Sequence, residues 1–136
     1  MNLSTKESGH LCELKFVLRA TEKGFFVNRP LGDFRAYDYI LDKNNTLNRI
    51  QVKSANKIKK KPEQAISYKI MLAQGSGHKH VYNIKDIDYF IIYLVQDDLF
   101  YIIPRSVTGN TLSISLFPDS RDSKYNIYKE NWGLLQ

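Results

Sequence analysis

RAYDYILDKNNTLNRIQVKSA, running from Arg35 to Ala55, is the stretch on which the fold turns. β-Branched and aromatic residues alternate with polar ones on both sides of Lys43, Asn44, Asn45 and Thr46. It therefore reads as two strands, Ala36 to Asp42 and Asn48 to Ser54, joined by a tight polar loop. With those four residues as the loop, Asp42 faces Leu47 and Asp38 falls opposite Gln51, their Cβ atoms about 5 Å apart. Period-two alternation puts Asp38, Gln51 and Lys53 on one face, and Tyr37, Tyr39, Ile50 and Val52 on the other. A carboxylate, an amide and an ammonium thus converge.

Upstream, residues 5–23 read as a helix capped by Ser4 or Thr5, with Leu11, Leu14, Val17, Leu18 and Thr21 at helical spacing. Lys15, Arg19, Glu22 and Lys23 group on one side of the wheel. Glu13 lies across from them, between Phe16, Val17 and Ala20, and so points toward the protein. An inward carboxylate must be paired, protonated or bound to a cation; the alternative is a residue at the edge of the stripe that reaches water. Gly24 ends the helix, Phe25 to Val27 reads as a short strand, and Leu31, Gly32 and Asp33 as a turn.

Downstream, Lys57, Lys59, Lys60 and Lys61 follow the central strand, either as a solvated loop or where a polyanion crosses. Ser67 to Gln74 reads as a strand with Tyr68, Ile70 and Leu72 in phase, helix being the alternative. Gly75 to His80 is a flexible basic loop. From Ile87 the chain turns strongly apolar. DYFIIYLV and LFYIIP, around the turn Gln96 to Asp98, form a hairpin with little alternation, as in a core sheet buried on both faces and flanked by helices. Thr111 to Leu116 alternates as a last strand. Residues 121–135 read as a closing helix with Tyr125, Tyr128, Trp132 and Leu135 on one face.

Composition sets the frame. The 136 residues, 43% hydrophobic and 25% charged, suit one α/β domain spanning 1–136. No apolar run approaches the roughly 20 residues of a membrane span, and no signal-like segment opens the chain. With the single Cys12, this predicts a cytoplasmic protein of a reducing compartment, with no membrane partner. Residues 1–68 hold 13 Lys or Arg against 7 Asp or Glu, which accounts for the whole net charge of +6. The basic half is the half that carries the central hairpin.

Cleaving a phosphodiester requires neutralised phosphate charge, a nucleophilic water and a stabilised leaving oxygen. A hard cation such as Mg²⁺ prefers oxygen ligands, one or two of them carboxylates. Asp38 would be the principal ligand, joined by the Gln51 amide oxygen, the main-chain carbonyl of Val52 and Glu13 from the helix. Lys53 would hold or deprotonate the attacking water, or steady charge developing on phosphorus. His78 and His80 lack a third zinc ligand, Gly75-Ser76-Gly77 lacks P-loop spacing, and Cys12 has no catalytic partner.

The succession GHLCE (Gly9 to Glu13), Gly24, RPLGDFRAYDYILD (Arg29 to Asp42) and IQVKSA (Ile50 to Ala55) resembles the PD-(D/E)XK nuclease superfamily, in its group I intron-associated homing endonuclease branch. The resemblance continues through DIDYFIIYL (Asp86 to Leu94), FYIIP (Phe100 to Pro104) and KYNIYKENWGLL (Lys124 to Leu135). It puts the helix glutamate on Glu13, the metal-binding aspartate on Asp38, and a Q-x-K form of the acidic-x-lysine element on Gln51 and Lys53. Tyr37 stands where the superfamily often has proline, and Gln51 where it often has an acid.

The resemblance implies a restriction-endonuclease-like mixed sheet with helices on both sides and a Mg²⁺ site, Mn²⁺ substituting, at the hairpin rim. It also implies double-stranded DNA as partner, and a homo-oligomer, dimer or tetramer, since one site per chain cuts one strand. Arg29, Arg35, Lys57, Lys59, Lys60, Lys61 and Lys79 are the candidate phosphate contacts, and the Gly75 to His80 loop a candidate groove-entering element. The expected function is a metal-dependent, homing-type DNA endonuclease rather than a restriction-type or Holliday-junction-resolving one. The competing readings are a DNA-binding module that no longer cuts, motivated by Gln51, and a protein-interaction domain.

Overall fold

The computed structural model describes residues 2–58 and 62–136; the predicted contacts Lys59, Lys60 and Lys61 lie outside the described residues. The chain opens with α1 (Thr5–Glu22). The Ser4 hydroxyl accepts the Glu7 N–H while the Glu7 carboxylate accepts the Ser4 N–H, a reciprocal pair that satisfies two otherwise orphaned donors. The face that α1 buries is Cys12, Phe16 and Ala20, whereas Leu11, Leu14 and Leu18 are exposed, which corrects the expected apolar stripe. Both sets have helical spacing. The set with small residues at both ends lets the helix lie close on the sheet, with the Phe16 ring 5.2 Å from that of Tyr39.

After Gly24, at φ +89°, come β1 (Phe26–Asn28), β2 (Tyr39–Lys43) and β3 (Thr46–Ala55). The β2–β3 register is the expected one, Asp42 opposite Leu47. The loop is shorter than expected. Only Asn44 and Asn45 turn the chain, both at positive φ (53° and 63°), and such a two-residue loop matches the twist of the flanking strands. The first strand also starts later, at Tyr39. Ala36 and Tyr37 leave the ladder and pack into the opposite half of the core from Tyr39, so Tyr37 does not share a face with Tyr39 as predicted.

The central sheet has the order β1-β2-β3-β8-β9, with β8 (Tyr89–Leu94) and β9 (Leu99–Pro104). It is mixed: β3 and β8 pair in parallel, the other neighbours antiparallel. The crossover between β3 and β8 holds β4 (Lys57–Ile58), β5 (Ser67–Met71), and the small hairpin of β6 (Ala73–Gln74) and β7 (His80–Val81). With β10 (Ser113–Leu116), strands β4 and β5 form a second sheet, ordered β10-β5-β4. Tyr68, Ile70 and Leu116 from it cover the face away from α1.

One face of the central sheet is therefore covered by a helix and the other by a sheet, not by helices on both sides. The reason is legible in β5, where buried Tyr68 and Ile70 alternate with exposed Lys69 and Met71 at period two. The expected burial of β8 and β9 on both faces holds. Ile91, Tyr93, Phe100 and Ile102 face α1, and Phe90, Ile92, Tyr101 and Ile103 face the second sheet.

Residues 121–135 do not form the expected helix. Two short 3₁₀ turns, Asn126–Tyr128 and Trp132–Leu135, flank Glu130 at φ +49°. Tyr125 enters one half of the core, Trp132 and Leu135 the other. This strap satisfies the open edge of β9: Lys129 bridges Tyr101, and the Glu130 N–H donates to the Phe100 carbonyl at 2.7 Å. The Glu130 carboxylate accepts the Phe100 N–H at 2.6 Å and the Trp132 indole N–H at 2.9 Å, and pairs with Arg19 at 3.5 Å.

Glu130→Ala strands a buried backbone donor, so it is expected to cost about 2 kcal/mol, read as a lower urea midpoint at unchanged slope. A change within about 0.5 kcal/mol would show that the strap is held by its apolar residues alone. No helix among the described residues is long and apolar enough to cross a membrane.

Candidate active site

Asp38 sits where the chain enters the central hairpin. Its N–H donates at 2.8 Å to the carbonyl of Ile50, the residue opposite Tyr39, so Asp38 lies just outside the β2–β3 ladder and not in register with Gln51. Its Oδ2 accepts the Val52 N–H and the Gln51 side-chain N–H, both at 2.9 Å. Gln51 is buried and directs its amide nitrogen, not its oxygen, at the carboxylate. Offering that oxygen as a ligand requires a half-turn of the amide.

Glu13 enters from α1, where its Oε1 accepts the Tyr39 hydroxyl at 3.1 Å. The inward orientation expected from the wheel is met by a phenol. Glu13, Asp38, Val52 and Lys53, with Gly9, Cys12 and Ser54, line one cavity of about 160 Å³. Glu13 and Asp38 also line a wider cleft of about 610 Å³, whose other walls include Arg29 and Arg35.

Lys53 Nζ donates to the Tyr82 hydroxyl at 3.1 Å. Tyr82 is itself fixed: its ring stands edge-on to Phe90 at 5.6 Å, and its carbonyl accepts two N–H groups of buried Arg105, at 3.0 and 2.6 Å. The base of β3 is pinned to β8 by Arg49, whose main-chain N–H and guanidinium grip Asp88 at 2.7 to 3.1 Å. Tyr39, Tyr82, Arg105 and the Arg49–Asp88 pair carry no local signal in the sequence, since each acts on a partner far along the chain or across the sheet.

The electrostatics are those of a partly dry site. Burial, and then the nearby Glu13 charge, push the Asp38 carboxyl up to about 6, against the Val52 N–H and the Lys53 charge, which pull it down. Burial lowers the Lys53 ammonium, with Asp38 opposing. The Tyr39 phenol is pushed up to about 12 by burial and by Glu13, so it stays a donor.

These shifts have a thermodynamic sign. A carboxyl with a raised folded-state pKa contributes stability that is full below its ordinary value near 3.9 and is lost as pH rises through about 6. Asp38→Asn, which keeps both accepted hydrogen bonds, is therefore expected to be more stable than wild type at pH 8 without divalent cations. The gap should be on the order of 2 kcal/mol after allowance for partial exposure, and should close below about pH 4. Urea titrations at the two pH values decide it; a gap independent of pH would remove the desolvation account.

Among the described residues, no three His, Cys, Asp or Glu side chains gather. The groups that do gather are two carboxylates, the Val52 carbonyl and the Gln51 amide, which offer only hard oxygens once that amide is turned. Such a set fits Mg²⁺ or Mn²⁺ and not a thiophilic or imidazole-bound metal.

The predicted DNA contacts are scattered. Arg29 and Arg35 are exposed beside the acidic pair. Lys57 lies past the end of β3, half-buried and paired with Asp97 at 3.9 Å. Lys79 is at the tip of the β6–β7 hairpin, with Nζ on the Gly75 carbonyl at 2.6 Å.

A family model for PD-(D/E)XK endonucleases matches residues 3–133, and the chain belongs to that family of DNA endonucleases. Among solved structures it is similar to the bacterial homing endonuclease I-Ssp6803I, with a TM-score of 0.80 and 27% identity over 97% of this chain and 93% of that one. No curated protein matches the sequence.

Proposed function

We propose that this chain is a site-specific, homing-type DNA endonuclease dependent on a divalent cation. Glu13, Asp38, the Gln51 amide oxygen and the Val52 carbonyl hold the ion, and Lys53 works beside it. The observation that carries this reading is the meeting of Glu13, Asp38, Val52 and Lys53 around one cavity, with Gln51 hydrogen-bonded to Asp38. A bound Mg²⁺ or Mn²⁺ would neutralise phosphate charge and acidify a coordinated water. Lys53, steadied by Tyr82, orients the attacking water and donates N–H to a phosphoryl oxygen as charge develops there. Arg29 and Arg35 bind the flanking phosphates, with Lys57, Lys59, Lys60, Lys61 and Lys79 as outer contacts.

The similarity to a homing endonuclease supports the homing type. One site per chain supports a homo-oligomer, dimer or tetramer, for cutting both strands.

A second reading has its own observation. The Gln51 amide nitrogen occupies Asp38, as it would in a module that binds DNA and no longer cuts. Supercoiled plasmid incubated at low salt with Mg²⁺, with Mn²⁺ and with EDTA separates the two. Metal-dependent nicking or linearisation is the expected result. A gel shift with no cleavage under either metal favours the second reading, and no shift at all removes both.

A further inference from the structure

We propose that the loop between β1 and β2 carries a DNA wedge. In it, Leu31 and Phe34 enter between base pairs beside the cleft that leads to Asp38 and open the duplex there. This rests on the endonuclease reading above.

Leu31 and Phe34 are the two most exposed large hydrophobic residues in the described chain, at 98% and 88%. They sit three residues apart on a loop that is built rather than slack. Gly32 adopts φ +78°, and a Cβ placed there would lie 2.4 and 2.8 Å from Cε2 and Cδ2 of Phe34. The ring therefore rests on bare backbone, held by it on one side and open on the other. The positive φ favours glycine at this position, and a Cβ there would displace the ring from its seat.

The surroundings of the two side chains select the partner. Arg29, Leu31 and Arg35 line the cleft of about 610 Å³ that Glu13 and Asp38 also line. Phe34 and Arg35 line a second cleft of about 290 Å³ that Arg49 shares. The loop is thus a ridge between two clefts, its apolar tips flanked by the guanidinium groups of Arg29, Arg35 and Arg49 and by the carboxylates of Asp33 and Asp86. The loop's two acidic residues, Asp33 and Asp38, both line the first cleft. Two apolar tips, with Arg29, Arg35 and Arg49 beside them, offer too little area for a stable protein interface. They match proteins that grip phosphates with arginine while an aliphatic or aromatic side chain unstacks a base step. A step opened at this place would bring its phosphate toward the acidic pair.

The test starts with wild type. Sequencing the ends it leaves on plasmid DNA maps the cut, and failure to cut any DNA would take the endonuclease reading down, and the wedge with it. On a mapped duplex carrying 2-aminopurine at the cut step, wild type is expected to raise the fluorescence several-fold. Leu31→Ala/Phe34→Ala is expected to leave it flat and to cleave roughly tenfold or more slowly. The double variant should keep the wild-type circular dichroism melt, since neither side chain is buried. A mismatch at the cut step, which opens it in advance, should restore the variant's cleavage. Flat fluorescence with wild type, equal cleavage by variant and wild type, or a fall in the variant's sedimentation mass, which would mark an interface between copies, each overturns the wedge while leaving the endonuclease reading intact.

Discussion

Asp38→Ala is expected to lower plasmid cleavage roughly 10³-fold or more, with no loss of fold at neutral pH. Of the two carboxylates at the cavity, Asp38 alone is tied directly to β3, by the Val52 main-chain N–H and the Gln51 side-chain N–H. Its position is held by those bonds and by its own N–H on Ile50, whereas Glu13 hangs from α1 on a longer side chain and a single phenol. Removing Asp38 takes away the best-placed negative charge and leaves the Gln51 amide without its acceptor. The lone Glu13 cannot reproduce a two-carboxylate set, so raising Mg²⁺ should recover little. Burial already holds the Asp38 carboxyl at about 6, so its removal relieves a folding penalty at pH 8. Initial rates of nicking at several Mg²⁺ concentrations, beside a thermal melt, check both halves. A variant rate within tenfold of wild type would remove Asp38 from the reaction.

Lys53→Met should cost roughly 10²- to 10³-fold in cleavage while leaving DNA affinity nearly unchanged. Methionine keeps the stem and packing of the side chain and removes its charge and donors. The ammonium is half-buried, with Tyr82 as its hydrogen-bond partner and Asp38 as the nearest opposite charge, so it is placed to act on one oxygen and not to hold the duplex. Its loss should therefore appear in turnover and not in binding. Single-turnover rates on saturating DNA, set against gel-shift affinities, separate the two. Parallel losses in both would make Lys53 one more phosphate contact.

The acid and amide were legible because strand alternation and register are local: a loop two residues shorter at its centre still leaves Asp42 opposite Leu47. Period two was over-extended to Tyr37, which lies before the ladder begins at Tyr39 and turns into the other half of the core. On α1 the spacing marked a helix and an inward Glu13 but did not decide between two apolar stripes of equal period, because that choice belongs to the sheet beneath. The aromatic spacing of residues 121–135 resembled a helix face. The hydrogen-bonding needs of the β9 edge, met through Lys129 and Glu130, outweighed it. Tyr82 and Arg105 were invisible for another reason: each matters only through the group that tertiary packing sets beside it.

The one parallel pairing in the central sheet has a kinetic consequence. Asp38 and Gln51 are 13 residues apart and meet as soon as a local hairpin zips. Arg49 and Asp88 are separated by 39 residues and Lys53 from Tyr82 by 29, so the lysine's setting waits for the closure of long loops. The Asp38–Gln51 pair thus needs only local closure, whereas the Lys53–Tyr82 pair needs the whole crossover between β3 and β8.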